Sequence, residues 1–140
     1  DTGKKIDKRA RKFLNENNLD YAHGTGHGVG FFLNVHEGPQ SINKINKVKI
    51  VEGMVLSNEP GFYKKNKFGI RIENLVYVKK SQKKLNFENL TMAPIEKDLI
   101  NFKILSSKEK DYLFRYHLDV YSKISKFLNS NEKKWLASFI

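Results

Sequence analysis

Three side chains in this sequence have the donor types of a divalent-metal site. His27 lies in the glycine-rich stretch HGTGHGVG, Glu59 directly precedes Pro60, and Glu73 lies in the alternating stretch GIRIEN. Imidazole and carboxylate donors without a thiolate suit borderline-to-hard ions such as manganese, cobalt or zinc. The spacing alone does not show that residues so distant in the sequence converge. A structural histidine and an exposed strand face are therefore the alternative interpretation.

A basic side chain accompanies one of these carboxylates. Arg71 is two residues before Glu73, so both side chains lie on one face of a strand. An arginine at this spacing can orient the carboxylate through a charge-assisted hydrogen bond. We therefore expect Arg71 to support Glu73.

Other catalytic motifs are incomplete. His36-Glu37 begins like a helical zinc-protease motif, but Gln40 replaces the second histidine and Gly38-Pro39 would break the helix. The glycines from Gly24 to Gly30 follow a G-x-G-x-G-x-G pattern, which is not the dinucleotide fingerprint. Neither a phosphate loop nor a nucleophile elbow is present in the sequence.

Composition predicts a soluble globular protein. The chain has 140 residues, of which 39% are hydrophobic and 29% are charged. No apolar run approaches the roughly 20 residues that span a bilayer, so we expect no membrane partner. The absence of cysteine excludes disulfides and thiolate metal sites and fits a cytoplasmic protein. The net charge of +11 is spread without a long basic tract, so a nucleic-acid partner is not expected.

Periodicity predicts the elements that must position the candidate ligands. A helix is predicted over 4–18, and a lysine-rich loop over 62–68. The helix at 106–128 begins with the capping-box pattern Ser106 to Glu109. The remaining predicted elements are strands over 28–35, 54–59, 69–78 and 85–94 and a short helix over 132–139.

Three long blocks carry a family resemblance. HGTGHGVGFFLNVHEGP, GMVLSNEPGFY and FGIRIENLVYV occur in this order. They resemble the aminopeptidase P (Xaa-Pro aminopeptidase) branch of the pita-bread metallopeptidases, peptidase family M24B. The match extends from about Asp7 to the end of the chain. It includes TMAPIEKDLI and KEKDYLFRYHLDVY, which look like the longer, eukaryote-like subgroup.

The resemblance implies an α+β fold. Residues 1–100 would form the second half of a pita-bread domain, in which helices cover a curved antiparallel sheet. Residues 101–140 would form a helical C-terminal extension.

The resemblance also implies roles for particular residues. His27 and Glu59 match metal ligands, and Glu73 matches the glutamate that bridges two metal ions. His23 and His36 match catalytic histidines that line the substrate pocket. The resemblance further implies that Arg71 supports the site beside the bridging glutamate, and that Tyr63 contributes to substrate binding.

A complete enzyme of this kind would remove the N-terminal residue from peptides with proline in second position. It would use two divalent ions, usually manganese, with cobalt or zinc as alternatives. The family has five ligands, and two of them are aspartates upstream of the HGTGHG block. No segment before His23 resembles that region. We therefore expect this chain to be part of a longer protein, to hold its metals incompletely, to be inactive alone and to self-associate, for example as a homodimer.

Two alternatives stay open. The chain could belong to another pita-bread hydrolase, a prolidase or a methionine aminopeptidase. It could also be a non-enzymatic interaction module that has lost its ligands. The presence of His27, Glu59 and Glu73 argues against the second alternative.

Overall fold

The computed structural model describes residues 1–32 and 34–140, which form an α+β structure. They divide into two compact units, Asp1–Thr91 and Met92–Ile140. The predicted division into 1–100 and 101–140 stays a prediction. The first unit contains the helices α1 (Gly3–Ala10) and α2 (Lys12–Asn15) and the strands β1 (Gly26–His27), β2 (Ser41–Ile42), β3 (Val55–Asn58), β4 (Gly61–Lys64), β5 (Phe68–Arg71), β6 (Asn74–Ser81) and β7 (Lys84–Asn89).

All strand pairs of the first unit are antiparallel, as predicted. They form three small sheets, which are β1–β2, β3–β6–β7 and β4–β5. An isolated β-bridge between Gly28 and Leu56 connects the first sheet to the second. This bridge brings the glycine-rich stretch alongside β3.

One apolar core supports the first unit. Helix α1 and the loop before β3 cover the β3–β6 pair through Ile6 and Met54. Full burial of an aliphatic side chain provides roughly 1.5–3 kcal/mol in transfer free energy. The buried members of the core are Ile42, Ile50, Leu56, Val76 and Val78.

The predicted loop over 62–68 is wrong, because most of it forms the hairpin β4–β5. Phe62 pairs with Ile70 and Tyr63 with Gly69. The turn contains Asn66 at φ 58°, a left-handed conformation that asparagine tolerates. The lysines of this region face solvent, and their polarity concealed the strand pairing.

The predicted strand over 69–78 is two strands. Strand β5 ends at Arg71, and β6 begins at Asn74 in a different sheet. The alternation continues through the break, so periodicity could not reveal it. Glu73 consequently lies at the crossing between two sheets. The predicted strands over 54–59 and 85–94 correspond to β3 and β7.

The predicted strand over 28–35 is also wrong for its described residues. Phe31 and Phe32 are 98% and 87% exposed. The segment turns back on itself, since the Gly30 amide donates to the Asn34 carbonyl and the Glu37 amide donates to the Gly28 carbonyl. Leu33 lies outside the described residues.

The first predicted helix is divided at Arg11 into α1 and α2. The second unit contains α3 (Ser107–Ile124) and α4 (Ser130–Ala137). The capping box of Ser106 and Glu109 is confirmed, and Asn129 and Glu132 form a second one before α4. Short 3-10 turns, Lys97–Leu99 and Ser125–Phe127, complete this unit. Its apolar core contains the buried residues Tyr116, Val120 and Leu136. Among the described residues, no helix combines the length and apolar character needed to cross a membrane.

Candidate metal centre

The three candidate ligands converge. His27 ends β1, Glu59 follows β3, and Glu73 lies between β5 and β6. One donor atom from each lies within 4.8 Å of those from the other two. His27 and Glu59 are half-buried, whereas Glu73 is exposed. The strand ends therefore place an imidazole and two carboxylates at one solvent-accessible point.

The imidazole of His27 is oriented by the backbone. Its Nδ1 lies 3.0 Å from the carbonyl oxygen of Gly28, which can only accept a hydrogen bond. A proton on Nδ1 leaves the lone pair of Nε2 free, which is the tautomer that a metal ligand needs. Nε2 lies 3.5 Å from Oε1 of Glu59.

Both carboxylate oxygens of Glu59 have partners. Oε1 accepts a hydrogen bond from the Ser57 hydroxyl at 3.0 Å. Oε2 lies 3.3 Å from Nη1 of Arg71. The backbone amide of Glu59 donates to the Thr25 carbonyl at 2.7 Å. The carboxylate is thus held from two sides.

A polar chain links Arg71 to His23. Nε of Arg71 donates to the Tyr63 hydroxyl at 2.8 Å, and that hydroxyl lies 2.7 Å from Nε2 of His23. His23 Nδ1 lies 2.6 Å from the Gly24 carbonyl. Since Arg71 only donates, the Tyr63 proton is available to Nε2 of His23. Its hydrogen bond to Tyr63 and the nearby carboxylates of Glu59 and Glu73 raise the pKa of Arg71.

His36 reaches the site by ring contact. Its imidazole lies against that of His27, with ring centroids 4.1 Å apart and an angle of 52° between the planes. His36 itself is exposed. The structure thus brings together all of the residues to which the sequence assigned site roles. Those roles stay predictions.

Close backbone approach is essential where β1 passes β3. A Cβ atom at Gly26 would lie 2.0 Å from the carbonyl oxygen of Ser57. Any side chain at this position would separate the strand that carries His27 from the strand that leads to Glu59. Gly26 therefore has a packing role that the regular spacing of glycines did not distinguish from that of its neighbours.

A buried ion pair holds the loop that carries His23. Arg11 and Asp7 have side chains that are 3% and 2% exposed, and Nε of Arg11 lies 2.9 Å from Asp7 Oδ2. The Arg11 guanidinium also donates to the carbonyl oxygens of Tyr21 at 2.7 Å and His23 at 2.6 Å. The sequence gives no sign of this role for either residue, because an Asp and an Arg four positions apart on a helix usually form an exposed pair.

Opposing effects act on this guanidinium. Burial lowers the pKa of Arg11, but hydrogen bonds to Asp7 and Asp20 outweigh it and raise the pKa. Lys44 and Arg11 both hold the pKa of Asp20 below its ordinary value. Arg11 therefore stays charged and keeps the loop before β1 in place.

The donor set fits divalent ions. Nitrogen and oxygen donors bind such ions at about 2.0–2.2 Å, and paired ions in hydrolases lie about 3.5–4 Å apart. Three donors within 4.8 Å of one another match the span of such a centre. His27, Glu59 and Glu73 are the residues that could hold it.

Comparisons with known proteins identify the family of this chain. The family model for metallopeptidase family M24 matches residues 1–80, and the model for the C-terminal region of peptidase M24 matches residues 83–138. A probable Xaa-Pro aminopeptidase P from Botryotinia fuckeliana is 47% identical over 148 aligned positions, covering 96% of this chain and 23% of that protein. The chain therefore spans about a quarter of the length of the curated relatives it matches.

Solved structures show the same fold. The X-prolyl aminopeptidase from Caenorhabditis elegans, described as a cytosolic enzyme with a di-nuclear active site, matches with a TM-score of 0.89 and 38% identity. That match covers 99% of this chain and 24% of the C. elegans chain. The prolidase from Pyrococcus horikoshii matches with a TM-score of 0.59 and 35% identity, covering 71% of this chain and 26% of the prolidase chain. The predicted resemblance to aminopeptidase P and the predicted pita-bread fold are confirmed, and the chain belongs to metallopeptidase family M24.

Proposed function

We propose that this chain forms part of the active site of a Xaa-Pro aminopeptidase with two divalent ions. Such an enzyme removes the N-terminal residue from peptides with proline in second position. The observation that carries the proposal is the convergence of His27, Glu59 and Glu73 within 4.8 Å, beside the ring of His36. The similarity of the whole chain to aminopeptidase P supports the substrate class.

His27 and Glu59 would each hold a metal ion, and Glu73 would bridge two. When bound, divalent ions act as Lewis acids on a peptide carbonyl and make water a stronger nucleophile at neutral pH. Manganese is the proposed ion. Cobalt and zinc accept the same nitrogen and oxygen donors, so a metal-dependence assay with the three ions tests this choice.

The substrate imposes a proton requirement. The leaving proline nitrogen carries no hydrogen and, like the nitrogen of any cleaved peptide bond, must take up a proton as the bond breaks. We propose that His23 and His36 supply this proton and donate a hydrogen bond to the substrate carbonyl oxygen. Tyr63 and Arg71 orient His23 and Glu59 through the hydrogen bond and the ion pair described above.

The match along the whole chain, including the C-terminal region, favours an aminopeptidase like that of C. elegans over a prolidase. The C. elegans aminopeptidase covers 99% of this chain, whereas the prolidase from Pyrococcus horikoshii covers 71%. Residues 83–138 match the C-terminal region of the family.

The test is a peptidase assay on the complete gene product with added Mn²⁺. We expect cleavage of a tripeptide with proline in second position, little cleavage of a Xaa-Pro dipeptide, and none of a Met-Ala peptide. Glu59→Gln and Glu73→Gln should lower kcat/KM by about 100-fold or more, because changing even a residue that only contacts a ligand costs about 10–100-fold. Glu16→Gln, an exposed control, should change nothing.

Preference for the dipeptide would favour a prolidase instead. Absence of all peptidase activity would favour a non-enzymatic module. Full activity in Glu73→Gln would contradict the assigned metal centre.

These 140 residues alone should show little or no turnover. Two metal ions of this type need at least four donors each, and the three converging side chains do not supply them. The same tripeptide assay with Mn²⁺ tests this expectation. Robust turnover by the 140-residue chain would contradict it.

Self-association and a cytoplasmic location complete the proposal. Every residue of β5 is exposed, including the apolar Phe68 and Ile70, and such a strand can pair with another copy. Light scattering should show a homodimer or larger species, and a monomer at high concentration would contradict this. The relative from C. elegans is described as cytosolic. Cell fractionation of the gene product should recover it with cytoplasmic proteins.

A further inference from the structure

We propose that Ser57 is a positioning residue, which sets the distance and orientation between the candidate ligands His27 and Glu59. Its hydroxyl accepts a hydrogen bond from the His27 backbone amide at 2.9 Å and donates one to Oε1 of Glu59 at 3.0 Å. One oxygen atom therefore connects ligands from two different strands. This inference rests on the proposed metal centre.

The direction of both hydrogen bonds is determined by chemistry. A backbone amide can only donate, and an ionised carboxylate can only accept. The single proton of the Ser57 hydroxyl must therefore point at Glu59, and one of its lone pairs must face His27. The hydroxyl has no second orientation that satisfies both partners.

Ser57 restrains the carboxylate oxygen that faces the imidazole. Oε1 of Glu59 is the acceptor for Ser57 and is also the atom 3.5 Å from Nε2 of His27. Arg71 contacts the other oxygen, Oε2, at 3.3 Å. With both oxygens held, the carboxylate cannot rotate about its terminal bond without losing one of these contacts.

The position of Ser57 in the fold allows its hydroxyl to restrain both His27 and Glu59. β1 pairs with β2 and β3 pairs with β6, so the two ligand-bearing strands meet outside their own sheet ladders. Two backbone contacts flank the Ser57 contact. On one side, the Glu59 amide donates a hydrogen bond to the Thr25 carbonyl, and on the other side lies the bridge between Gly28 and Leu56. Ser57 is 0% exposed, so solvent does not compete for these hydrogen bonds.

Without the hydroxyl, the His27 amide would lose its hydrogen bond to Ser57, and Oε1 of Glu59 would lose its hydrogen-bond donor. Loss of a residue that orients a ligand typically weakens metal binding by about 10–100-fold. A buried serine that served packing alone would not affect metal affinity while the fold stays intact. This difference separates a positioning role from a structural one.

The experiment is a Co²⁺ titration of the complete gene product, followed by the visible absorption of bound Co²⁺. Ser57→Ala should raise the Kd by about 10–100-fold. Ser57→Thr retains the hydroxyl and should stay within about 3-fold of wild type. Ser57→Cys has the shape of serine with a weaker donor, and should lie between them. Ser81→Ala, at the exposed end of β6, is the matched control.

A second readout does not require metal. Hydrogen exchange of the His27 backbone amide should be faster in Ser57→Ala and unchanged in Ser81→Ala. If Ser57→Ala does not fold, Ser57→Cys gives the same comparison. A wild-type Kd or an unchanged His27 exchange rate in a folded variant that lacks the hydroxyl overturns the proposal.

Glu73→Gln is titrated in parallel to separate this inference from the proposed function. Weaker Co²⁺ binding in Glu73→Gln but not in Ser57→Ala would overturn only the role of Ser57. Unchanged Co²⁺ binding in Glu73→Gln would overturn the proposed metal centre, and the positioning role with it.

Discussion

Arg71 forms its ion pair with Glu59, at 3.3 Å between Nη1 and Oε2, although Glu73 is the nearer carboxylate in the sequence. The Arg71 guanidinium also donates from Nε to the Tyr63 hydroxyl on the neighbouring strand. One planar group therefore connects the hairpin β4–β5 to the carboxylate that follows β3. The nearby negative charge of Glu73 raises the pKa of Arg71.

Arg71→Lys should lower kcat/KM of the complete gene product by about 10–100-fold toward a Xaa-Pro tripeptide. A lysine carries a single ammonium on a flexible stem, and cannot contact Tyr63 and Glu59 in the geometry of a guanidinium. Steady-state kinetics with saturating Mn²⁺ measure the effect. Arg9→Lys, on an exposed arginine, should be neutral. Wild-type kinetics in Arg71→Lys would show that simultaneous contact with Tyr63 and Glu59 is dispensable.

Arg71 pairs with Glu59 and not with the expected Glu73. This difference shows what the sequence does not determine. The donor types of His27, Glu59 and Glu73 and the capping box at Ser106 are local features, and a sequence displays them directly. The partner of Arg71 depends on a hairpin and a crossing between sheets, which the continuous alternation through Glu73 concealed.

The sequence also does not show which side chains are buried. Asp7 and Arg11 have the spacing of an exposed helical pair, and only the packing of the loop before β1 makes them interior. Phe31 and Phe32 have the composition of a buried strand, and the turn between Gly28 and Glu37 leaves them exposed instead. A pattern of residue types does not determine which side of an element meets another part of the chain.

Gly26→Ala should destabilise the chain by about 1–3 kcal/mol or more, the usual range for overpacking. The added methyl group would lie 2.0 Å from the Ser57 carbonyl, so β1 and β3 must separate. Urea unfolding measures the free energy of unfolding. Gly38→Ala is the control, since its added Cβ meets nothing within 4 Å. Equal stability of the two variants would disprove close approach at Gly26.

Asp7→Ala should destabilise the chain by about 3–5 kcal/mol, because it leaves the buried guanidinium of Arg11 without its main partner. Asp20 remains within reach of that guanidinium, so the lower end of the range is expected. Urea unfolding again provides the measurement.

The chain contains a matched control for this prediction. Asp111 and Arg115 have the same spacing on α3, but both side chains are exposed. Asp111→Ala should therefore change stability by less than about 0.5 kcal/mol. Similar losses in the two variants would mean that burial does not determine the strength of the Asp7–Arg11 pair.

Asp20 should make the stability of the first unit depend on pH in the acid range. Hydrogen bonds from Lys44 and Arg11 hold the pKa of Asp20 below the ordinary value of 3.8. The folded state therefore binds this proton less readily than the unfolded state, and the stabilisation is fully present above the ordinary pKa. It is lost progressively as the pH falls below that value toward the lower pKa of the folded state.

The measurement is urea unfolding of wild type and Asp20→Asn between pH 2 and pH 7. The wild type should be the more stable protein near neutral pH, and the difference should shrink as the pH falls below about 4. Because the Asp20 side chain is 39% exposed, high salt should also reduce the difference at neutral pH. Since Arg11 links Asp20 to the carbonyl of His23, the protection of amides in the loop before β1, measured relative to their intrinsic exchange rates, should fall over the same pH range. A difference in stability that does not vary with pH would exclude Asp20 as an ionised anchor of this loop.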